Sequence, residues 1–209
     1  MRIGIMGGTF DPIHLGHLNA AQEIAEEYNL EEVVLIPSSS PPHKRRELVS
    51  PADRLTMCQL ATEDNPLFNV SDMEIARGGT SYTIDTIREF KRTRGDDCEI
   101  FFIIGSDAFT DIWSWKDTEQ LFKECNFIVD LRGGDTVSDV EGYLKAKSTD
   151  RIISMDNSPF KVYVTETTVL DISSSRIRKK IGGGMAIHYL LPQKVEDYIA
   201  KNGLYSYNG

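Results

Sequence analysis

The residues best suited to chemistry lie in the first turn of the chain, where two histidines follow a pair of glycines. Residues 7–17 read GGTFDPIHLGH, after an apolar strand at 3–6 and before an alanine-rich helical run. A glycine-rich turn where a strand meets a helix presents free backbone N–H groups beside the positive end of the helix dipole, and such turns bind phosphate. His14 and His17 are three residues apart, so both imidazoles lie on one face if the helix has already begun. The pattern predicts a phosphate-binding turn with two imidazoles directed at the same anion.

Each feature of this turn also has an ordinary structural explanation. A glycine-rich loop after a strand is weak evidence for a nucleotide site, and a lone histidine is more often structural than functional. Histidine is scarce in this chain, however, and three of its four copies fall between residues 14 and 43. The segment lacks both the G-x-G-x-x-G pattern and the G-K-[ST] ending of a P-loop, so neither a dinucleotide dehydrogenase nor a P-loop kinase is indicated.

A second group of anion-binding residue types lies near the other end of the chain. Residues 172–181 read ISSSRIRKKI, and three glycines follow at 182–184. Serines before a helix cap it, and their hydroxyl and backbone N–H groups form an anion site. Arg178 comes about one turn later on the same side. We therefore predict a helix that begins at this serine row, holds an anion at its start and ends at the glycines.

Two basic clusters stand out because the chain as a whole is acidic, with a net charge of −9. One occupies residues 43–46, in the loop after an apolar strand at 33–36, and the other lies within residues 176–180. A charge cluster is usually no more than solvated surface. Two clusters in an acidic chain fit better with one small, highly anionic ligand, whereas the overall charge argues against general nucleic-acid binding.

Candidate contacts for a nucleoside follow the clearest buried strand, at residues 99–104. Gly105 and Asp107 come directly after it. An acidic residue just past a strand accepts hydrogen bonds from ribose hydroxyls or caps the next helix, and one aspartate can do both. Trp113 and Trp115 are the only tryptophans. Such residues are usually partly buried packing, but they also offer a flat face to an aromatic base.

The elements that must position these residues alternate along the chain. Short apolar runs rich in β-branched or aromatic residues suit buried strands, and periodic apolar patterns suit the helices between them. We expect helices at 18–28, 51–63, 117–124 and 192–202, and a further helix that begins in the segment 81–87 and stops near residue 95. Strands are expected at 33–36, 68–75, 127–129 and 161–165, with a helix plus a variable connection within 135–160. This alternation predicts an α/β fold with a doubly wound, Rossmann-like parallel sheet.

Local signals mark where two of these helices begin. Ser50 is a suitable cap for a helix that has Pro51 at its first position. Ser81 and Thr83 crowd the start of the helix that ends near residue 95, and capping alone would explain them. The 209 residues fit a single domain, in which 165–209 carry the serine row and a small C-terminal helical part.

Composition indicates the cellular compartment in which the protein is expected to function. No apolar run approaches the roughly 20 residues of a membrane span, and no secretory signal is read at the N-terminus. Cys58, Cys98 and Cys125 are widely spaced and odd in number, which is typical of reduced thiols. We expect a cytoplasmic protein that does not bind membranes. Whether it forms a homo-oligomer is not readable from the sequence.

The opening segment resembles the signature of the bacterial nicotinate-nucleotide adenylyltransferases, which belong to the H-x-G-H nucleotidyltransferase superfamily. The serine row resembles that superfamily's second signature, I-S-S-[ST]-x-I-R. The strings SYTIDT at 81–86 and LLPQKV at 190–195 also match these enzymes. The resemblance runs from about residue 3 to 205 and is weakest between 135 and 160. It implies a nucleotidyltransferase-type fold.

The resemblance also implies a reaction, in which nicotinate mononucleotide and ATP give nicotinate adenine dinucleotide and pyrophosphate, with Mg²⁺ arriving on ATP and no protein metal ligands. It assigns catalytic roles to His14, His17, Lys44 and Arg178. It assigns ATP contacts to Gly7, Gly8, Thr9, Phe10, Gly105, Asp107, Ile172, Ser173 and Ser174. For nicotinate mononucleotide, the resemblance assigns contact with the base or its carboxylate to Thr83 and ring stacking to Trp115. We further expect a backbone N–H near Lys116 to meet the carboxylate and Lys116 itself to add charge.

Some assignments stay open at this point. Residues 132–134 depart from the family's usual R-P-G, which leaves the role of Arg132 undecided, and Arg45 and Arg46 are as easily surface as ligand contacts. Two alternative functions remain. The chain could be an adenylyltransferase that uses nicotinamide mononucleotide or pantetheine phosphate as acceptor, or it could be a non-catalytic nucleotide sensor. The sequence does not show which pyridine mononucleotide is preferred.

Overall fold

A computed structural model describes residues 1–40, 48–95, 97–145, 148–149, 151–154 and 158–206. In chain order its strands are β1 (Arg2–Gly8), β2 (Glu32–Pro37), β3 (Phe68–Val70), β4 (Glu99–Gly105), β5 (Asn126–Asp130), β6 (Ser148–Thr149), β7 (Ile152–Ser154) and β8 (Lys161–Thr165). The strands described form one eight-stranded sheet in the order β3-β2-β1-β4-β5-β8-β7-β6. Neighbours from β3 to β8 are parallel, and β7 and β6 extend that edge in antiparallel fashion.

The direction of winding fixes where a ligand can bind. The chain passes from β1 outward to β2 and β3, and then returns to place β4 on the other side of β1. The crevice at the carboxyl ends of β1 and β4 is therefore the topological switch point, where open α/β sheets bind ligands. Gly8 ends β1 and Gly105 ends β4. Two of the segments predicted to contact a nucleotide thus flank this crevice.

Helices cover both faces of the sheet. They are α1 (Leu15–Glu27), α2 (Pro51–Thr62), α3 (Met73–Arg77), α4 (Thr83–Arg94), α5 (Ser106–Phe109), α6 (Thr118–Leu121), α7 (Val137–Leu144), α8 (Ser174–Gly182) and α9 (Gln193–Lys201). Apolar side chains of α1, α2, α8 and α9 form one buried cluster, and those of α4, α5, α6 and α7 form another. The predicted doubly wound α/β fold is confirmed. None of the helices described has both the length and the apolar character that a bilayer span requires.

Three predicted boundaries are wrong. The first helix begins at Leu15 and not at residue 18, the strand predicted at 68–75 ends at Val70 before α3, and only Thr118–Leu121 of the predicted 117–124 is α-helical. The first error has a clear cause, because His14 occupies the cap position in an extended conformation and its backbone N–H donates to Nδ1 of His17. Histidine is not among the usual capping residues. The sequence therefore gave no signal for this early start.

One of the two helix-capping predictions is confirmed and the other is wrong. Ser50 caps α2 as predicted, since its Oγ accepts a hydrogen bond of 3.1 Å from the amide of Asp53. The prediction that serine or threonine caps α4 is wrong. Its cap position is Tyr82, which makes no side-chain cap, and Ser81 Oγ instead accepts from the amide of Ser39 at 3.0 Å. The first amides of α4 are consequently left without a side-chain cap.

Candidate active site

The glycine-rich turn leaves the sheet at Gly8 and enters α1 at Leu15. Two backbone contacts hold its ends, since the Ser38 amide donates to the Gly8 carbonyl at 2.8 Å and the Leu15 amide donates to the Leu190 carbonyl at 3.0 Å. The ring of Phe10 is buried beneath the turn, where a Cβ added to Gly8 would lie 2.9 Å from it. Phe10 therefore supports the turn with its side chain, and only its backbone is placed to meet a ligand.

The two histidines form a stacked pair. Their ring centroids are 3.7 Å apart with the planes at 26°, and the Phe10 ring packs edge-on against His17 at 5.2 Å. Because the His14 amide donates to Nδ1 of His17 (3.3 Å), Nδ1 must be unprotonated and the proton of a neutral ring lies on Nε2. The N–H donor of the His17 ring is therefore Nε2–H. The prediction that the two imidazoles share one face is confirmed.

His14 is the more deeply placed of the two rings, with 5% of its surface exposed. Burial, together with the positive charge of Arg132, lowers the pKa of His14 to about 4. Its Nδ1 atom accepts no well-formed hydrogen bond from the described residues. A buried polar atom left in this way is a cost that a folded protein seldom carries without a function. His14 is therefore neutral at pH 7, and its buried Nδ1 lies at the start of α1.

This lowered pKa predicts how stability depends on pH. The unfolded chain, with an ordinary histidine pKa of 6.5, takes up a proton that the folded protein refuses until about pH 4. The stability that neutral His14 contributes is present above pH 6.5 and is lost as the pH falls toward 4. Between pH 7 and pH 5 we expect the wild type to lose about 2 kcal/mol more unfolding free energy than His14→Gln. Urea unfolding at the two pH values measures this, and an equal loss in both proteins would contradict it.

The helix of the serine row docks directly onto the glycine-rich turn. Ser174 Oγ donates to the Pro12 carbonyl at 2.8 Å, and Arg178 Nη1 donates to the Asp11 carbonyl at 2.5 Å. These partners are 162 and 167 residues apart in the chain. Ser173 is the helix cap, and its Oγ accepts from the amide of Arg176. The two predicted anion sites therefore come together at one place.

A cavity of about 160 Å³ lies where these two motifs meet. Ile172 and Gly16 line it together with His14, and Asp130 and Arg132 form another wall. Arg132, which the sequence left undecided, is thus brought to the site. Its guanidinium is anchored by Asp130, with Nε 3.3 Å from the carboxylate.

Gly105 adjoins this cavity at the end of β4. A Cβ at this position would lie 2.5 Å from Oδ1 of Asp107 and 3.1 Å from Nε of Arg132, so both side chains approach the backbone of Gly105 closely and would have to shift to admit a larger residue. Asp107 is exposed and lies within the first turn of α5, whose cap position is Gly105. The alternative that Asp107 caps this helix is therefore wrong. Its carboxylate remains accessible at the switch point.

A second and larger cavity, of about 380 Å³, lies on the other side of the turn. Gly7, Gly8 and Thr9 form one wall of this cavity, and Thr83 and Trp115 form others. The Trp115 ring packs edge-on against Phe102 with centroids 6.1 Å apart, which fixes its plane within the cavity. Its volume lies within the usual range of small-molecule sites. The turn thus separates two cavities, one beside the histidines and one with an aromatic wall.

The charges around this larger cavity come from α4 and the segment after Trp115. Thr83 is the first residue of α4, whose uncapped start provides backbone donors and the positive end of a helix dipole. Lys116 Nζ lies 2.9 Å from the Asp85 carboxylate and 4.8 Å from the Tyr82 ring centroid. Asp85 offsets part of the Lys116 charge. The cavity therefore suits an aromatic ligand, and the start of α4 offers backbone donors to an anionic group on that ligand.

Comparison with known proteins agrees with this geometry. The family profile described as cytidylyltransferase-like matches residues 5–180. A protein of Citrifermentans bemidjiense named "probable nicotinate-nucleotide adenylyltransferase" is 47% identical over 214 residues, covering 98% of each chain. One of the same name from Thermoanaerobacter sp. is 44% identical over 207 residues, covering 98% of this chain and 94% of that one. The chain belongs to the cytidylyltransferase-like family and, within it, to the nicotinate-nucleotide adenylyltransferases.

A solved structure shares the fold of this adenylyltransferase family member. The Plasmodium falciparum nicotinic acid mononucleotide adenylyltransferase complexed with NaAD superposes with a TM-score of 0.76 at 23% identity, covering 98% of this chain and 97% of that one. At this identity the likeness supports the nucleotidyltransferase-type fold. The family resemblance inferred from GGTFDPIHLGH and ISSSRIR is confirmed.

The site of this adenylyltransferase family member gathers most of the residues that the sequence predicted. His14 and Ile172 line the histidine-side cavity, and those lining the aromatic cavity are Gly7, Gly8, Thr9, Thr83, Trp115 and Lys116. The predicted residues that contact the turn, cap α8 or lie next to Arg132, without lining either cavity, are His17, Gly105, Asp107, Ser173, Ser174 and Arg178. Lys44, Arg45 and Arg46 lie outside the described residues. Their predicted roles stay predictions.

Two charged residues beneath the site were missed. Arg54 is fully buried, and its guanidinium donates to the carbonyls of Thr9 at 2.8 Å and Ser39 at 3.2 Å, so it joins the turn to the following loop. Glu74 is a buried carboxylate in the wall of the aromatic cavity and accepts from the Thr86 hydroxyl at 2.5 Å. The burial of Arg54 could have been predicted from the sequence, because Arg54 lies four residues before Cys58 and therefore shares the buried face of α2.

The described residues include no group of three or more histidine, cysteine, aspartate or glutamate side chains arranged to hold a metal ion. A magnesium ion that binds phosphate oxygens and water needs few protein ligands. The polar groups around the described site include backbone amides, hydroxyls, imidazoles and guanidinium groups, which suit phosphate oxygens, and the carboxylates of Asp107 and Glu74.

Proposed function

We propose that this protein transfers the adenylyl group of ATP to nicotinate mononucleotide, forming nicotinate adenine dinucleotide and pyrophosphate in NAD biosynthesis. One observation carries the proposal. The serine-row helix docks on the histidine turn through the Ser174–Pro12 and Arg178–Asp11 contacts, so the two anion-binding motifs meet next to a cavity lined by His14 and Ile172, and the same turn borders an aromatic pocket. A reaction between a triphosphate and an aromatic mononucleotide needs these two neighbouring compartments.

In this proposal the chemistry is positioning and charge neutralisation. A phosphate oxygen of nicotinate mononucleotide attacks the α-phosphorus of ATP, a new P–O bond forms, and the bond to pyrophosphate breaks. The attacking phosphate is already ionised at neutral pH, so no general base is required. His17 Nε2–H, the α8 amides and Arg178 stabilise the charge that develops on the α-phosphate and the leaving pyrophosphate. His14, Gly105, Asp107 and Ile172 hold the nucleotide.

The acceptor's ring and carboxylate account for the larger cavity. Trp115 stacks on the pyridine ring, and the uncapped start of α4, at Thr83, accepts the carboxylate. An anionic group gains more from this helix terminus than a neutral amide does, which favours nicotinate over nicotinamide. Lys116 adds a positive charge at the rim, weakened by its pair with Asp85. Mg²⁺ enters bound to the ATP phosphates and supplies charge neutralisation there.

The test is product formation by the purified protein. ATP and Mg²⁺ are incubated with nicotinate mononucleotide, nicotinamide mononucleotide or pantetheine phosphate, and dinucleotide and pyrophosphate are quantified. We expect equimolar nicotinate adenine dinucleotide and pyrophosphate, with the highest kcat/KM for nicotinate mononucleotide. Turnover mainly with another acceptor would replace the assigned substrate. Tight ATP binding without any product would identify a nucleotide sensor.

A further inference from the structure

The C-terminal segment reaches back to the glycine-rich turn. Tyr205 donates its hydroxyl proton to Oδ1 of Asp11 at 2.8 Å, across 194 residues of chain. Asp11 is 1% exposed, and a buried carboxylate must be met by donors or positive charge. The Arg178 guanidinium lies 3.9 Å from the other carboxylate oxygen, Oδ2. One buried carboxylate therefore faces both the tail hydroxyl and the arginine predicted to contact phosphate.

The path of the tail shows that Tyr205 is held in place and not merely nearby. After α9 the chain reverses at Gly203 (φ 60°), and the Leu204 amide donates to the Ile199 carbonyl at 3.0 Å. Tyr205 itself has a φ of 63°, in the left-handed region that a tyrosine seldom occupies. Such a conformation persists only when surrounding contacts fix it. Its hydroxyl contact with Asp11 lies at the end of this constrained reversal.

Arg178 lies close to two groups that compete for its guanidinium, the Asp11 carboxylate and the phosphates of a bound ligand. Arg178 Nη1 is hydrogen-bonded to the Asp11 carbonyl, while its approach to the carboxylate stops at 3.9 Å, beyond hydrogen-bonding distance. About 20% of the Arg178 side chain is exposed. If Oδ1 lost the Tyr205 hydroxyl, the buried carboxylate would lose one of its donors. Arg178 is close enough to replace that donor, and would then turn away from the ligand.

We propose that Asp11 and Tyr205 are positioning residues that keep the Arg178 guanidinium directed at the ATP phosphates. The inference rests on the proposed function, in which Arg178 stabilises the triphosphate. It gives the C-terminal tail a role in the reaction beyond packing. It also predicts that the tail affects events on the ATP side of the site and leaves the pyridine side unchanged.

The test compares two tyrosines that make the same kind of bond. Tyr198 of α9 also donates to a carboxylate at 2.8 Å, but to Asp53 of α2, away from the turn. Tyr205→Phe should lower kcat roughly 10-fold, the effect of losing one hydrogen bond to a charged group, and should weaken the affinity for Mg–ATP measured by calorimetry. The KM for nicotinate mononucleotide should not change. Tyr198→Phe should leave both values within about twofold.

A double substitution separates positioning from stability. If Tyr205 acts through Arg178, Tyr205→Phe should cause no further loss in an Arg178→Ala background, because residues that act through one group are not additive. A full additional loss there, or equal effects of Tyr205→Phe and Tyr198→Phe on Mg–ATP affinity, would overturn the proposal. If the wild type forms no dinucleotide, the proposed function fails, and the Mg–ATP affinities of the same variants still decide the positioning role.

Discussion

His17→Ala is expected to lower kcat roughly 10²- to 10³-fold, the range found when one preorganised donor to a developing negative charge is removed. The reason lies in the geometry of the histidine pair. The His14 amide occupies Nδ1 of His17, which leaves Nε2–H as the donor on the outer edge of the ring. Stacking on His14 and the edge contact with Phe10 hold that donor in place before any ligand binds. Steady-state turnover with saturating ATP and nicotinate mononucleotide measures the loss.

Two variants make the His17 result interpretable. His17→Asn keeps a side-chain acceptor for the His14 amide but has no group at the Nε2 position, so it should be as slow as alanine while retaining about 1 kcal/mol of the capping stability. His188→Ala is the control, because His188 is exposed and pairs with Glu196 at 2.9 Å outside both cavities. Unchanged turnover in His17→Ala would remove this residue from the mechanism.

Trp115→Ala is expected to raise the KM for nicotinate mononucleotide by up to roughly 100-fold, since stacking of a base on an aromatic side chain contributes about 1–3 kcal/mol. The ring forms a wall of the aromatic cavity, and Phe102 fixes its plane. The histidine-side cavity, which we propose holds ATP, has different walls, around His14 and Arg132. The KM for ATP should therefore change much less. Initial rates with each substrate varied in turn separate the two constants.

The second tryptophan provides the matched control. Trp113 is 48% exposed, and its indole N–H donates to the Tyr143 carbonyl at 2.6 Å outside the aromatic cavity. Trp113→Ala should leave both KM values within about twofold, although it removes the same side chain two residues away. Equal increases in the KM for both substrates in Trp115→Ala would argue against a stacking role.

The position of the glycine-rich turn between two cavities indicates how the two reactants would be placed relative to each other. Gly7, Gly8 and Thr9 line the aromatic cavity, while His14 and Gly16 line the other. A phosphate held in the first compartment and a triphosphate held in the second would meet across the turn, and leaving pyrophosphate would depart on the side of α8. Holding both reactants in this way removes most of the entropic barrier to their reaction.

The sequence alone determined the parts of this protein that short-range physics controls. Alternating apolar runs and periodic helices predicted the doubly wound sheet, and the strings at residues 7–17 and 172–178 predicted two anion sites at strand–helix junctions. Both were readable because backbone conformation, capping and dipole effects act within a few residues. The errors at residues 18, 68–75 and 117–124 fell where an unusual cap or a strand partner set the boundary.

Only the tertiary structure decided which residues share a site and in what state. The contacts of Ser174, Arg178 and Tyr205 with the glycine-rich turn span 162 to 194 residues, and no local pattern records which distant partner a side chain meets. The neutral state of His14 likewise depends on burial and on the charge of Arg132, which folding brings near it. Solvation and electrostatics depend on distances in space, and those exist only once the chain has folded.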